Sequence, residues 1–205
     1  MIKHVIFDIG NVLVTFHPVS YFKKYFDEAT ASFLCDEVFA SEQWRFVDQG
    51  ILSEGEAKDY FLKKLPSYAI QLQVLFDNWK GLMTLKEETY ALLKRLRDDG
   101  YCLYILSNIG EESYAYCIRH FPFFEDVKGG VFSYQEKVVK PDPAIYECLL
   151  NRYKLLPGEC IFFDDEPENV KAACKIGIHA VLFRDIAQAE KDLADILAEE
   201  EYAES

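Results

Sequence analysis

Three short apolar runs, each stopping abruptly at polar groups, constrain this chain more than any other feature. Val5-Ile6-Phe7 ends at Asp8, with Gly10-Asn11 close behind; Leu103-Tyr104-Ile105-Leu106 ends at Ser107-Asn108; Cys160-Ile161-Phe162-Phe163 ends at Asp164-Asp165. Continuous apolar runs mark strands buried on both faces, as in parallel sheets. Open α/β sheets bind their ligands just beyond the carboxyl ends of such strands. Three polar strand ends therefore predict one crevice above a parallel sheet, and that crevice is the expected active site.

The stretches between the runs decide the architecture. From Pro18 to about Trp79 the apolar residues recur at helical spacing, as in Tyr21-Phe22-Tyr25-Phe26 and Ala57-Tyr60-Phe61-Leu65. Ser53 and Glu56 form a capping-box pair at the start of one helix. From Lys86 onward helix and strand patterns alternate, which is the signature of βαβ units and a doubly wound, Rossmann-like parallel sheet. The expected organisation is a discontinuous core, residues 1–15 and 82–205, with an α-helical cap over residues 16–81 inserted after the first strand. Residues 12–15 read as a short hairpin arm, and Glu199–Glu201 as a solvated acidic tail.

Composition sets the partners. A net charge of −13 argues against nucleic acid or an anionic membrane surface, and no apolar stretch is long enough to span a bilayer. The six cysteines are scattered, without zinc or redox spacing, and read as buried free thiols of a soluble, cytoplasmic protein.

Asp8, Asp164 and Asp165 brought together would repel one another unless a cation sat among them. With oxygen ligands only, Mg²⁺ is the natural choice where the substrate is a phosphate. Lys140, in Val138-Val139-Lys140-Pro141-Asp142-Pro143, is placed to anchor a phosphate and keep Asp8 ionised. Ser107 and the Asn108 backbone N–H can donate to phosphate oxygens, and an ionised Asp8 can attack phosphorus to give an aspartyl-phosphate.

These residues resemble the haloacid dehalogenase (HAD) superfamily over nearly all of the core. Phe7-Asp8-Ile9-Gly10-Asn11-Val12, Leu106-Ser107-Asn108, Lys140-Pro141-Asp142-Pro143 and Phe163-Asp164-Asp165 through Asn169 fit its four motifs in order and spacing. The resemblance implies a small phosphorylated substrate. It casts Asp8 as nucleophile and metal ligand, Ser107 and Lys140 as phosphate anchors, and Asp165 with Asp164 as metal ligands. The form of the first and fourth motifs is similar to bacterial sugar-phosphate phosphatases, among them enzymes of hexose 1-phosphate. A phosphotransferase, or a weakly active phospho-ligand or protein-binding member, shares the same motifs.

One position departs from the family. Its phosphatases usually carry a second aspartate two residues after the nucleophile, which ligates Mg²⁺ through its carbonyl and serves as acid and base. Here that position is Gly10, which keeps the carbonyl and lacks the carboxyl. His17, at the entry to the cap, and Asp48 are the substitutes that position suggests; His17 also has a plain reading as a surface linker residue. Arg45 and Asp48 are expected to face the crevice and read the rest of the substrate, while Trp44 reads equally as cap core.

Overall fold

The computed structural model describes the backbone of residues 1–203 and side chains through residue 198. Strands β1 (His4–Phe7), β2 (Cys102–Ser107), β3 (Gly129–Phe132), β4 (Cys160–Asp164) and β5 (His179–Leu182) form one parallel sheet. Their order is β3-β2-β1-β4-β5. The chain winds outward from β1 to one edge, then crosses back and winds to the other. The switch point of this doubly wound sheet lies at β1, whose C-terminal end opens a crevice between β2 and β4.

The excursion after β1 is helical: α1 (Pro18–Phe22), α2 (Glu28–Phe39), α3 (Glu42–Asp48), α4 (Glu54–Lys64) and α5 (Ala69–Asn78). Side chains set three of the helix starts. Asp27 accepts from Thr30 N–H, Ser41 from Trp44 N–H, and Ser53 and Glu56 complete the expected capping box, each worth about 1 kcal/mol.

The expected hairpin arm over 12–15 does not form. Residues 11–13 make a turn, with Asn11 at φ 51°, and Val14 bridges antiparallel to Leu85. Thr15 N–H donates to Thr84 O and Lys86 N–H to Leu13 O, at 2.8 and 2.9 Å. The outgoing segment thus finds its backbone partners in the returning one, and both crossings between sheet and cap run side by side.

Alternation along the strands gives each sheet face its own core. Val5, Phe7, Leu103, Ile105, Ile161 and Phe163 belong to one cluster; Ile6, Tyr104, Leu106 and Phe162 belong to the other. α6 (Glu87–Asp98) and α7 (Glu111–His120) pack on the first through Leu92, Leu93, Leu96 and Cys117. After the single turn of α8 (Ser133–Glu136), α9 (Pro143–Tyr153) and α10 (Pro167–Lys175) cover the second with Ile145, Tyr146, Leu149 and Ala173. α11 (Ile186–Ala203) returns to the first face through Ala189 and Leu193. The backbone at Glu199–Glu201 continues this helix and is not a tail; the side chains there lie outside the described residues.

All six cysteines are free. Cys35, Cys117 and Cys160 are buried, as expected of all six, and burial pushes each thiol up to about 12. Cys102 and Cys148 are half-buried, and Cys174, in the last turn of α10, is exposed instead. Among the described residues no helix is long and apolar enough to cross a membrane.

Candidate active site

Register builds the site. Phe7 pairs with Ile105 on one side and Phe163 on the other, so Asp8 comes level with Leu106 and Asp164. Its N–H donates to Phe163 O at 2.9 Å, the last bond before the chain turns away. Lys140 enters from the loop before α9 with its side chain 1% exposed. Its Nζ donates to Asp164 Oδ2 (2.6 Å) and Leu106 O (3.0 Å) and lies 2.9 Å from Asp8 Oδ1. The last contact is an ion pair without hydrogen-bond alignment: Asp8 Oδ1 is buried and has no aligned partner among the described residues.

Three asparagine amides hold the charged groups in place. Asn108 Oδ1 accepts from Lys140 N–H (2.7 Å) and its Nδ2 donates to Lys140 O (3.0 Å). Asn169 Nδ2 donates to both Asp164 oxygens, at 3.0 and 3.1 Å. Asn11 Nδ2 donates to Asp165 Oδ2 (2.8 Å), while its Oδ1 accepts from Phe16 N–H (2.8 Å). The Asn108 side chain therefore positions Lys140, leaving its backbone N–H as the group without a partner among the described residues.

Asp164 is fully buried, and both of its oxygens are engaged by Lys140, Asn169 and the Glu166 N–H. It holds Lys140 more than it faces the cleft. Asp8, Asp164 and Asp165 nevertheless offer oxygens that all lie within 4.8 Å of one another.

Three carboxylates around one ammonium leave excess negative charge. Burial, and then Asp164 and Asp165 against the pull of Lys140, push the Asp8 carboxyl up to about 7. Burial also raises Asp165. For Lys140, burial opposes the charge but Asp164 and Asp8 outweigh it, so its pKa is raised. Three acidic side chains whose oxygens lie within 4.8 Å of one another, with one ammonium to balance them, fit a hard divalent cation.

This electrostatic state has a measurable consequence. Because the folded Asp8 carboxyl titrates near 7 and an ordinary one near 3.8, the native state binds more protons than the unfolded chain between these values. Metal-free stability should then fall as pH rises from about 4 to about 7 and level off above. Mg²⁺ favours the ionised form, so it should raise the melting temperature more at pH 8 than at pH 5. At about 100 times its dissociation constant the gain is ~2.7 kcal/mol, about 5–10 °C for a chain of this size. Equal shifts at both pH values would remove the cation from this site.

Above the carboxylates lies a cleft of about 260 Å³, lined from the core by Asp8, Gly10, Ser107, Asn108 and Asp165, and from the cap by Phe39, Trp44 and Asp48. Asp48 is at the cleft, as expected. Burial and then the charges of Asp8 and Glu54 push its carboxyl up to about 7. Its main chain is fixed by the core, since Ser133 Oγ donates to Asp48 O (2.5 Å) and accepts from Ile109 N–H (2.8 Å).

Four expected site residues do not line the cleft. Lys140 and Asp164 are buried, with the Lys140 ammonium engaged by Asp164 and Leu106 O and not open to a phosphate as expected. His17 and Arg45 lie outside it. His17 is an exposed helix N-cap whose side chain makes no capping bond, because the turn into α1 carries it outward. Arg45 is exposed and lines, with Ser41 and Glu42, an open hollow that adjoins the cleft and shares Phe39, Trp44 and Asp48 with it. Trp44 and Val47 are the buried residues of α3, which turns Arg45 away.

Sequence reasoning passed over Glu54 and Ser113. Glu54, at the start of α4, accepts from Lys80 Nζ (2.6 Å), Trp79 Nε1 (3.3 Å) and Ser113 Oγ (3.1 Å), tying cap, crossing and core together. An acid in the first turn of a helix satisfies the helix dipole, so nothing in the sequence marked this one out.

A strand-end carboxylate at the switch point of a parallel sheet, braced by a buried lysine and roofed by inserted helices, defines a cap-bearing α/β enzyme. The chain belongs to the haloacid dehalogenase-like hydrolases, whose family model matches residues 2–177. It is 26% identical over 177 residues to a sesquiterpene phosphatase of Aspergillus oryzae, covering 86% of this chain and 87% of that protein. A stretch of 57 residues is 40% identical to a chloroplast flavin mononucleotide hydrolase of Arabidopsis thaliana, over 28% of this chain and 23% of that protein. A HAD family enzyme of Bacteroides thetaiotaomicron, solved with magnesium and inorganic phosphate, superposes with a TM-score of 0.69. The match is 22% identical and covers 90% of this chain and 95% of that one, a likeness of fold.

Proposed function

We propose that this hydrolase cleaves a small phosphate monoester with Mg²⁺, using Asp8 as nucleophile and Asp48 as acid and base. The reading is carried by the buried Asp8 oxygen that lacks an aligned partner while facing Lys140 beside the cleft. The phosphatase of A. oryzae and the magnesium–phosphate complex of the B. thetaiotaomicron enzyme support the same chemistry.

Asp8, Asp165 and the Gly10 carbonyl would hold Mg²⁺, with Asp164 behind them; when bound, the ion supplies Lewis-acid stabilisation of phosphoryl charge. An Asp8 carboxylate oxygen attacks phosphorus and the bond to the leaving oxygen breaks, forming phospho-Asp8. Ser107 and the Asn108 N–H donate to the phosphoryl oxygens, and Asp48 gives its proton to the departing alcohol. Water then attacks phospho-Asp8, Asp48 takes its proton, and phosphate leaves. Lys140, already engaged by Asp164 and Leu106 O, balances charge on Asp8.

A phosphatase assay on aryl and alkyl phosphates, with Mg²⁺ and with chelator, tests the reading. Mg²⁺-dependent release of phosphate is expected, and its absence across the whole panel would overturn the proposal. Two substitutions probe the parts. Burial holds the Asp48 carboxyl above the usual carboxylate range, so its acid form disappears as pH rises and turnover of poor leaving groups should fall on the alkaline side of the profile. Asp48→Asn should lower that turnover about 10²–10⁴-fold and abolish this limb of the profile; an unchanged profile rules Asp48 out.

Asn108→Ala removes both bonds on the Lys140 backbone. At ~1 kcal/mol each it should cost about 2 kcal/mol of stability. A displaced ammonium should also lower kcat about 10²-fold. Full activity in that variant would show that the amide does not position Lys140.

The hexose 1-phosphate implied by the sequence resemblance draws little support from the lining. Asn11, Asn108, Ser113 and the Trp79 indole N–H already bond within the protein. With Ser107, Asp165 and Asp48 taken up by phosphate, metal and proton transfer in this reading, the lining leaves chiefly the Glu166 carboxylate for sugar hydroxyls.

A further inference from the structure

Beyond the phosphoryl site, the cleft is finished by four aromatic rings. Phe16, Phe39, Trp44 and Trp79 close a cycle of edge-to-face contacts, every one of them a lining residue. Phe16 meets Phe39 at 5.7 Å and 83°, and Phe39 meets Trp44 at 4.8 Å and 81°. Trp44 meets Trp79 at 5.1 Å and 87°, and Trp79 meets Phe16 at 6.5 Å and 75°. Rings this close are in mutual contact. The cycle is therefore a packed wall, without the space between rings that a cage for an organic cation requires.

Val14, Met83 and Ile109 continue the apolar surface. The wall is held from behind, where the Trp79 indole donates to Glu54. A rigid apolar wall with few free neutral donors rewards a leaving group that sheds water cheaply and penalises one that must keep its hydroxyls hydrated.

We propose that the leaving group is apolar: the substrate is the phosphate monoester of an aliphatic or flat cyclic alcohol, not of a polyol. This rests on the phosphatase reading above for the reaction, and on the wall alone for the class of alcohol.

Straight-chain alkyl phosphates from methyl to octyl test it, because their leaving groups are of nearly equal acidity and differ in apolar length. With Mg²⁺, kcat/KM should rise about fourfold for each methylene the wall covers, level off when the cleft is full, and exceed that for hexose 6-phosphate. Phe39→Ala should flatten the series and Phe39→Leu largely keep it. A flat series in the wild type, with hexose phosphates turned over as well or better, overturns the apolar class and leaves the phosphatase reading intact.

A second measurement needs no turnover. Trp44 and Trp79 are the two tryptophans of the chain and both line the cleft, so intrinsic fluorescence reports on its occupant. 1-Hexanol should give a saturable change and glucose none. If no ester is hydrolysed the phosphatase reading fails, and the fluorescence then decides: a saturable response to hexanol upholds apolar recognition, and no response overturns it.

Discussion

Asp8→Asn is expected to give a folded protein with no measurable phosphatase activity, a loss of about 10⁴-fold or more. The amide is nearly the same shape as the carboxylate, but its oxygen is a poor nucleophile and it carries no charge for Lys140 or a metal. Misfolding is not the expected cause. Burial pushes the native carboxyl up to about 7, so at pH 8 the wild type holds a costly buried charge that the variant lacks. Lys140 keeps its bonds to Asp164 and Leu106 O in either case. The metal-free variant should therefore melt at or above the wild-type temperature at pH 8. Retention of more than a few per cent of the wild-type rate would sink the covalent mechanism; inactivity with a collapsed melting temperature would leave a structural role for Asp8.

The second large effect is a rescue. Gly10→Asp, placed in the Asp48→Asn protein, should recover about 10²-fold or more in turnover of poor leaving groups. A Cβ added at Gly10 meets nothing within 4 Å, and the backbone there is not left-handed. The site thus accepts a Cβ without strain, at a position that lines the cleft. In the wild-type background the gain should be small, because in the proposed mechanism Asp48 supplies the proton. The measurement is a series of esters of graded leaving-group pKa in the wild type, each single variant and the double. A steep series in the wild type, levelled by Gly10→Asp alone, would mean that Asp48 does not serve and that the vacancy at position 10 is real.

The strand ends were readable because burial on both faces leaves no choice of residue. Val5-Ile6-Phe7 and Ile161-Phe162-Phe163 are apolar throughout, and the acids that follow fall at the last strand residue or just beyond it. The cap was harder to read, since an apolar face looks the same whether it meets a core or a cleft. Phe39 and Trp44 fit ordinary cap packing, and they do pack, yet the same rings line the site.

Asp48 carried a signal that was available. It stands four residues after the buried Trp44, on the same face of α3, whereas Arg45 is one step round the helix and faces outward. The hydrogen bonds of Asn108 to Lys140 cross 32 positions of sequence, and no local pattern encodes such a pairing. His17 misled because proximity to a hinge in sequence does not fix where a side chain turns.

The three amides that hold the charged groups also bear on how long the protein lasts. Each is neutral, so the scaffold around Asp164, Asp165 and Lys140 adds no charge to a region already crowded with it. Hydrolysis of any one amide would convert it to a further carboxylate at the place least able to accept one, and would remove a donor as well. That slow reaction begins with attack by the next residue's backbone nitrogen on the side-chain amide, and a branched neighbour obstructs it. Asn11 is followed by Val12, Asn108 by Ile109 and Asn169 by Val170. The residues after the three asparagines thus shield the site from chemical ageing as well as packing beside it.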